Sequence, residues 1–229
     1  MLIGVIGIGR LGLCFSLNLN NCGFNVIGFD IRQSYISLLK QKKFTSSEPF
    51  VNDFLSSSNI KFTNNIDDVK KAEIIFIMVN TPSLENESFD HSQIDSVLKN
   101  IQDYQGIIVI SATVMPGYCN SLNRVNIVYN PQFIAQGSII NNQKNPDFIL
   151  IGSENEKSIE KIKCVYSQLC SRPTFKVMSC LSAEITKLAL NCYITSKISF
   201  ANMIGDICHI IGAESQKVLD AMAGDSRID

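Results

Sequence analysis

Residues 2–30 read LIGVIGIGRLGLCFSLNLNNCGFNVIGFD, and the changes of pattern inside them decide the fold. A short apolar run, Leu2 to Ile6, ends in Gly7-Ile8-Gly9-Arg10-Leu11-Gly12, continues at helical spacing, and returns through Gly23 to a second apolar run closed by Asp30. That order is strand, glycine turn, helix, strand. In such a unit Gly7 makes the tight turn, Gly9 lets the backbone approach a pyrophosphate, and Gly12 lets the helix pack close on the sheet. The helix N-terminus turns free N–H groups and the positive end of its dipole toward the phosphates. Asp30 follows the glycines by about 20 residues, where a carboxylate accepts both ribose hydroxyls of an adenosine and repels a 2′-phosphate. The pattern predicts a dinucleotide site that takes NAD rather than NADP.

Outward from this unit, short apolar runs alternate with helical patterns, the signature of a parallel sheet covered on both faces. Ile36 to Leu39 belongs to a second helix and Ile60 to Phe62 to a short strand. Glu73 to Val79, EIIFIMV, has the continuous β-branched character of a central strand. Helix Ser92 to Gln102 leads to strand Ile107 to Ile110. Strands Asn126 to Tyr129 and Phe148 to Ile151 follow, then an amphipathic helix, Glu154 to Cys170, and the strand Phe175 to Met178. With right-handed crossovers, these elements predict an α/β, doubly wound Rossmann-type domain over residues 1–180. From Leu181 to about Ile211 a stripe of Leu190, Ile194, Ile198, Ala201, Ile204, Cys208 and Ile211 recurs at spacings of three and four. It predicts one long central helix, about 45 Å at 1.5 Å per residue. Gly212 caps it, Glu214 to Met222 starts another helix, and residues 181–229 form the start of a helical dimerisation domain. The short segment after the long helix cannot cover its apolar face, which calls for a partner subunit or a further domain.

The chain has 229 residues and a formal net charge of −1. No basic run is present, which argues against nucleic acid or an anionic membrane surface as partner. No apolar stretch reaches the roughly 18 to 20 residues of a membrane span, and MLIGVIGIG lacks the charged start of a signal peptide. The eight cysteines are scattered without a CxxC pair, and there are two histidines. That is the usage of a reducing cytosol, so the expectation is a cytoplasmic protein with no disulfide and no metal.

In doubly wound folds the ligand lies beyond the carboxyl ends of the strands. Three successive strand ends there carry hydroxyl or amide side chains beside prolines: Asn80-Thr81-Pro82, Ser111-Ala112-Thr113-Val114-Met115-Pro116-Gly117, and Asn130-Pro131-Gln132-Phe133. Each alone reads as an ordinary turn; together, on one edge, they favour a ligand site. Glu184, Lys187 and Asn191 lie three and four apart on one helical face. A lone lysine on such a face reads as a snorkelling side chain. Paired with Asn191, Lys187 is a candidate to polarise or deprotonate a substrate hydroxyl.

Taken together, these residues resemble the UDP-glucose/GDP-mannose dehydrogenase family. The similarity runs through GIGRLGL, Asp30, Glu48-Pro49, VNTP at 79–82, TVMPG at 113–117, NPQF at 130–133, PDFILIG at 146–152, SAEITKLALN at 182–191 and GDSRI at 224–228. The resemblance implies oxidation of the C6 hydroxyl of a UDP-sugar by two successive hydride transfers to NAD, through a cysteine thioester that water hydrolyses. By motif, Gly7, Ile8, Gly9, Arg10, Leu11, Gly12, Asp30, Val79, Asn80, Thr81, Pro82, Thr113 and Gln136 would bind NAD. Lys187 and Asn191 would hold the substrate C6 oxygen, Thr113 would help position a water, and Gln132 and Phe133 would line the substrate site. Arg227 matches an arginine that the family donates across a homodimer, whose core would be the long helix.

Two departures accompany the resemblance. The family's nucleophilic cysteine and its UDP-binding domain follow the arginine, and this sequence stops at Asp229, so a C-terminal domain or second polypeptide is expected to complete the site. Gln132 and Gln136 stand where the family has glutamates, and an amide cannot take a proton from water as a carboxylate does. Cys192 is no substitute nucleophile, since five residues from Lys187 it points about 140° away around the helix. Three readings stay open: a UDP-sugar dehydrogenase completed elsewhere, a two-electron NAD-dependent oxidoreductase with Lys187 as base, and a non-catalytic NAD-binding or dimerising protein.

Overall fold

The structure, a computed structural model, describes residues 1–135 and 137–228. The chain divides into two compact units, Met1–Ile185 and Thr186–Asp229. The first is built on an eight-stranded sheet of β1 (Leu2–Ile6), β2 (Asn25–Phe29), β3 (Lys61–Thr63), β4 (Ile74–Ile77), β5 (Ile107–Ile110), β6 (Ile127–Tyr129), β7 (Ile149–Gly152) and β8 (Phe175–Met178), in the order β3-β2-β1-β4-β5-β6-β7-β8. The order reverses between β1 and β4, where Ile3 lies opposite both Val26 and Ile74. This is the doubly wound α/β arrangement.

Because both faces are covered, the central strands carry apolar residues without alternation. In β4, Ile74 and Phe76 pack into the core on one face, and Ile75 and Ile77 into the core on the other. All four are fully buried, each contributing about 1.5–3 kcal/mol of transfer free energy. Helix α1 (Arg10–Asn21) lies on the first face with Phe15 edge-on to Phe76. The shorter helices α2 (Gln33–Lys40), α3 (Val51–Ser57), α4 (Ile66–Val69), α5 (Ser92–Asn100), α6 (Tyr118–Ser121) and α7 (Ile139–Lys144) connect the strands, and α8 (Glu156–Leu169) precedes β8. Of these, α3, α4, α6 and α7 have no counterpart in the sequence reading, being four to seven residues long, too short for a helical period to declare itself.

The sheet differs from the expected parallel one at one junction: β6 and β7 are antiparallel, Tyr129 facing Gly152. A parallel return needs a crossover that carries the chain back along the sheet. Residues 130–148 supply only the six-residue α7. That helix is fixed across α1 by Asn18, whose Nδ2 donates to Ile140 O at 3.1 Å and Gln143 Oε1 at 3.0 Å.

Helix α9 (Cys180–Ile211) runs for 32 residues, about 48 Å. It ends at Gly212 with φ +79°, and the Ala213 N–H donates to Cys208 O at 2.9 Å, a glycine cap of the Schellman type. Of the predicted stripe in the second unit, Cys208 is buried, whereas Ile194, Ile198 and Ile211 are exposed. Helix α10 (Ser215–Ala223) follows. No helix of the described residues is long and apolar enough to cross a membrane.

Candidate functional site

The turn from β1 to α1 is shaped by three glycines with three different reasons. Gly7 has φ +87°, and a Cβ there would lie 2.9 Å from the Met78 backbone. A Cβ at Gly12 would lie 2.2 Å from Gly7 O, so this glycine lets α1 come down on the turn. A Cβ at Gly9 would meet nothing within 4 Å, so nothing within the protein requires a glycine there. What Gly9 leaves is open space in front of a helix N-terminus with no side-chain cap and no acid in its first turn. A helix N-terminus without a side-chain cap, beside open space, fits an anionic pyrophosphate, and on this ground the residues present fit NAD. Ile8 is fully buried and its carbonyl accepts from Tyr35 OH at 2.9 Å; Arg10 is exposed and Leu11 half-buried.

Asp30 extends the sheet at the end of β2, its N–H donating to Thr63 O at 3.2 Å. Its carboxylate is gripped by Arg32, Nε to Oδ1 at 2.8 Å and one terminal nitrogen to Oδ2 at 2.8 Å, with the Arg32 backbone N–H on Oδ1 at 3.0 Å. Burial opposes ionisation of Asp30, but the hydrogen bonds and charge of Arg32 outweigh it and hold the carboxyl below its ordinary value. The guanidinium also lies 4.4 Å over the Tyr35 ring. Arg32 was legible in the sequence only as a base two residues after the acid.

The neighbouring strand ends fall in a row. Met78 N donates to Ile6 O at 2.8 Å, Ser111 N to Ile77 O at 3.0 Å, and Asn130 N to Ile110 O at 2.9 Å, so the ladder carries each strand into its loop at the carboxyl edge. This places Val79 to Pro82, Thr113, and Gln132 with Phe133 on the successive loops that follow β4, β5 and β6. Two loops are tied together: the Met115 N–H donates to His91 Nε2 at 3.3 Å, and the His91 ring lies 4.1 Å from that of Tyr118. Burial pushes the His91 pKa down, against the pull of Asp95, Asp90 and Glu184. The Ser111 hydroxyl, buried at this edge, has no hydrogen-bond partner among the described residues.

Gln132 stands in a chain of polar groups. Its Nε2 donates to Tyr166 OH at 2.9 Å, which donates to Asn130 Oδ1 at 2.5 Å, while Asn130 Nδ2 donates to Leu150 O at 2.7 Å. Burial raises the Tyr166 pKa, so this hydroxyl keeps its proton. With that proton given to Asn130, the Tyr166 oxygen needs a donor, which an amide at 132 supplies and a carboxylate would not. Phe133 packs on Phe148, ring centroids 4.9 Å apart. Gln136 lies outside the described residues. Buried Glu48 accepts from the N–H groups of Gly137 at 3.1 Å and Ile139 at 2.7 Å, a tether between these segments that the Glu48-Pro49 motif alone did not assign.

Glu184, expected to share a ligand-facing helical surface with Lys187 and Asn191, is fully buried. Its carboxylate is filled by the backbone N–H groups of Gly117 at 2.6 Å and Cys119 at 2.8 Å; it anchors the loop after β5. Lys187, Asn191 and Arg227 belong to the second unit. Lys187 is half-buried, and burial lowers its pKa. Asn191 is exposed, and Arg227 forms a two-pronged pair with Asp225 at 2.9 and 2.6 Å. The described residues contain no cluster of three or more side chains suited to a metal ion.

Compared with known proteins, residues 1–170 match the NAD binding domain of the UDP-glucose/GDP-mannose dehydrogenase family, and residues 181–229 its central domain. The chain belongs to the UDP-glucose/GDP-mannose dehydrogenase family. The UDP-glucose 6-dehydrogenase of Rickettsia typhi is 31% identical over 246 residues, covering 100% of this chain and 56% of the relative. That of Bacillus subtilis is 31% identical over 245 residues, with 99% and 53% covered. The chain thus spans about half the length of the curated relatives it matches. Among solved structures, GDP-mannose dehydrogenase of Pseudomonas aeruginosa superposes with a TM-score of 0.91 at 25% identity, over 98% of this chain and 57% of that one. UDP-glucose dehydrogenase of Pyrobaculum islandicum gives 0.89 at 25%, over 99% and 57%. In this family member the segment that matches the NAD binding domain holds the glycine turn and Asp30, with the Arg32 guanidinium on that acid.

Proposed function

We propose that this chain acts in the NAD-dependent oxidation of the C6 hydroxyl of a UDP-sugar. The observation that carries the reading is the turn at Gly9, open in front of a helix N-terminus that no side chain caps, in a chain whose family match covers both the NAD binding and the central domains. NAD, when bound, supplies the two-electron acceptor. Gly7, Ile8, Gly9, Arg10, Leu11 and Gly12 would hold its pyrophosphate, Asp30 its adenosine ribose, and Val79 to Pro82, Thr113 and Gln136 the remainder. Lys187, whose ammonium is destabilised by burial, would take the proton of the substrate hydroxyl, with Asn191 donating to the same oxygen. Gln132 and Phe133 would line the substrate site, and Thr113 would position a water. The reading further assigns a cytoplasmic enzyme of polysaccharide-precursor synthesis, dimeric through α9, with Arg227 of each copy serving the other's site.

A second reading, oxidation by two electrons only, is favoured by Gln132, whose amide cannot serve as the base for thioester hydrolysis. Calorimetric titration with NAD, followed by NADH absorbance on adding UDP-glucose, tests both. NAD binding with two NADH per sugar supports the first reading and one NADH per sugar the second. Absence of NAD binding overturns both.

A further inference from the structure

Two thiols that the proposed oxidation does not use lie together in the first unit. Cys119 is in α6, buried, and Cys180 opens α9, half-buried. The Cys119 and Cys180 thiols are close enough to shift each other's ionisation, Cys119 upward and Cys180 downward, and the Cys119 backbone N–H donates to Glu184 at 2.8 Å. The Cys180 thiol donates to Gly152 O at 3.1 Å, and the Tyr129 backbone lies near enough to lower its pKa. Tyr129 and Gly152 are the paired residues of β6 and β7, so the Cys180 sulfur sits at the antiparallel junction.

The backbones that carry the two thiols are held in place independently of them. A Cβ at Gly152 would lie 2.8 Å from Ala183 Cβ and 3.1 Å from Cys180 Cα, so the first turn of α9 is pressed against the strand end. Glu184, one turn further on, binds the N–H of Cys119 itself. Both cysteines also line one polar cavity of about 630 Å³, with Asn123, Arg124, Ser153 and Asn155 on its walls. Cys119 and Cys180 are therefore adjacent, immobilised and reachable by a small polar molecule. Of the two, Cys180 is the more easily ionised: its neighbour Cys119 lowers its pKa, while Cys180, burial and Glu184 hold the Cys119 thiol well above the usual range, as burial does Cys14, to about 12, and Cys170, to about 11.

We propose that Cys119 and Cys180 form a redox-sensitive dithiol, converted to an intramolecular disulfide by a low-molecular-weight disulfide that enters through this cavity. The Cys180 sulfur, whose pKa is lowered by Cys119 and the Tyr129 backbone, attacks one sulfur of the small disulfide, and its proton passes to the departing thiolate. The Cys119 sulfur then attacks Cys180 in the mixed disulfide, and its proton leaves with the second small thiol. Two protein thiols are oxidised by two electrons in total, and one small disulfide is reduced to two thiols. The new bond fastens α6, and with it the loop of Thr113, to the start of α9. This inference is independent of the NAD reading.

The test equilibrates the full chain with oxidised and reduced glutathione, blocks remaining thiols with N-ethylmaleimide, and maps tryptic peptides by mass. The fragment of residues 100–124 holds no cysteine but Cys119, and that of residues 177–187 none but Cys180, so their cross-link is unambiguous. The expected result is this cross-linked pair, a loss of two alkylatable thiols, and full recovery with dithiothreitol. In Cys119→Ser, Cys180 should instead retain one glutathione. A wild-type map in which both cysteines stay alkylatable at every glutathione ratio, while exposed Cys164 or Cys192 reacts, overturns the proposal without needing any variant to fold.

Discussion

Arg32 holds both carboxylate oxygens of Asp30, each at 2.8 Å, at the position where the fold places the acid that selects between NAD and NADP. The acid and its guanidinium are opposed in their preference for a 2′-phosphate, and in the pair the acid neutralises its partner. Asp30→Asn removes the repulsion and releases Arg32. NAD affinity should fall about tenfold, while NADP affinity rises relative to NAD by about tenfold or more, about 1.4 kcal/mol. Calorimetry with both dinucleotides measures this; a variant that loses NAD without gaining on NADP would show that Arg32 plays no part in the choice.

The glycine turn separates cofactor binding from folding. Gly9→Ala should leave stability within about 1 kcal/mol of wild type, the size of an N-cap effect, yet weaken NAD binding about tenfold. Gly12→Ala drives a methyl group to 2.2 Å from Gly7 O and should destabilise the fold by about 1–3 kcal/mol. Urea denaturation paired with NAD titration distinguishes the two.

Glu184 anchors the loop after β5 with two backbone hydrogen bonds from full burial. Glu184→Gln keeps the shape but turns an NH₂ group toward one of the two N–H donors, leaving it unsatisfied. The loss should be about 3 kcal/mol in urea denaturation, and an unchanged midpoint would contradict the anchoring role.

His91 accepts a proton-bearing N–H from Met115, which it can do only when neutral at Nε2. Its folded pKa lies below the ordinary 6.5 because of burial. The unfolded chain therefore binds more protons near that pH, so stability rises with pH through this window. The contribution is complete above the unfolded value and is lost as pH falls from about 6.5 toward the folded value. Melting temperature should drop between about pH 7.5 and about pH 5.5, and His91→Gln should flatten that part of the profile.

The exposed faces of Ile194 and Ile198 on α9 are the proposed dimer core. Ile194→Glu combined with Ile198→Glu should convert a dimer to a monomer in sedimentation velocity, with NAD affinity unchanged. A monomeric wild type at micromolar concentration would remove the proposal.

The sequence by itself determined the doubly wound fold, the tight turn at Gly7 and the close approach at Gly12, an acid at the end of β2, the row of strand-end loops and the long helix. Those features rest on short-range rules: glycine conformations, the period of apolar residues, and the places where one period gives way to another. Only the tertiary structure decided that β7 turns back against β6, that Glu184 serves backbone N–H groups 67 and 65 residues away, and that Cys119 meets Cys180. It also settled the pairing of Asp30 with Arg32, which adjacency in sequence permits but does not require. Such relationships are made by close packing and by the need of buried polar groups for partners, and no local pattern records which distant atom a buried carboxylate or thiol will find.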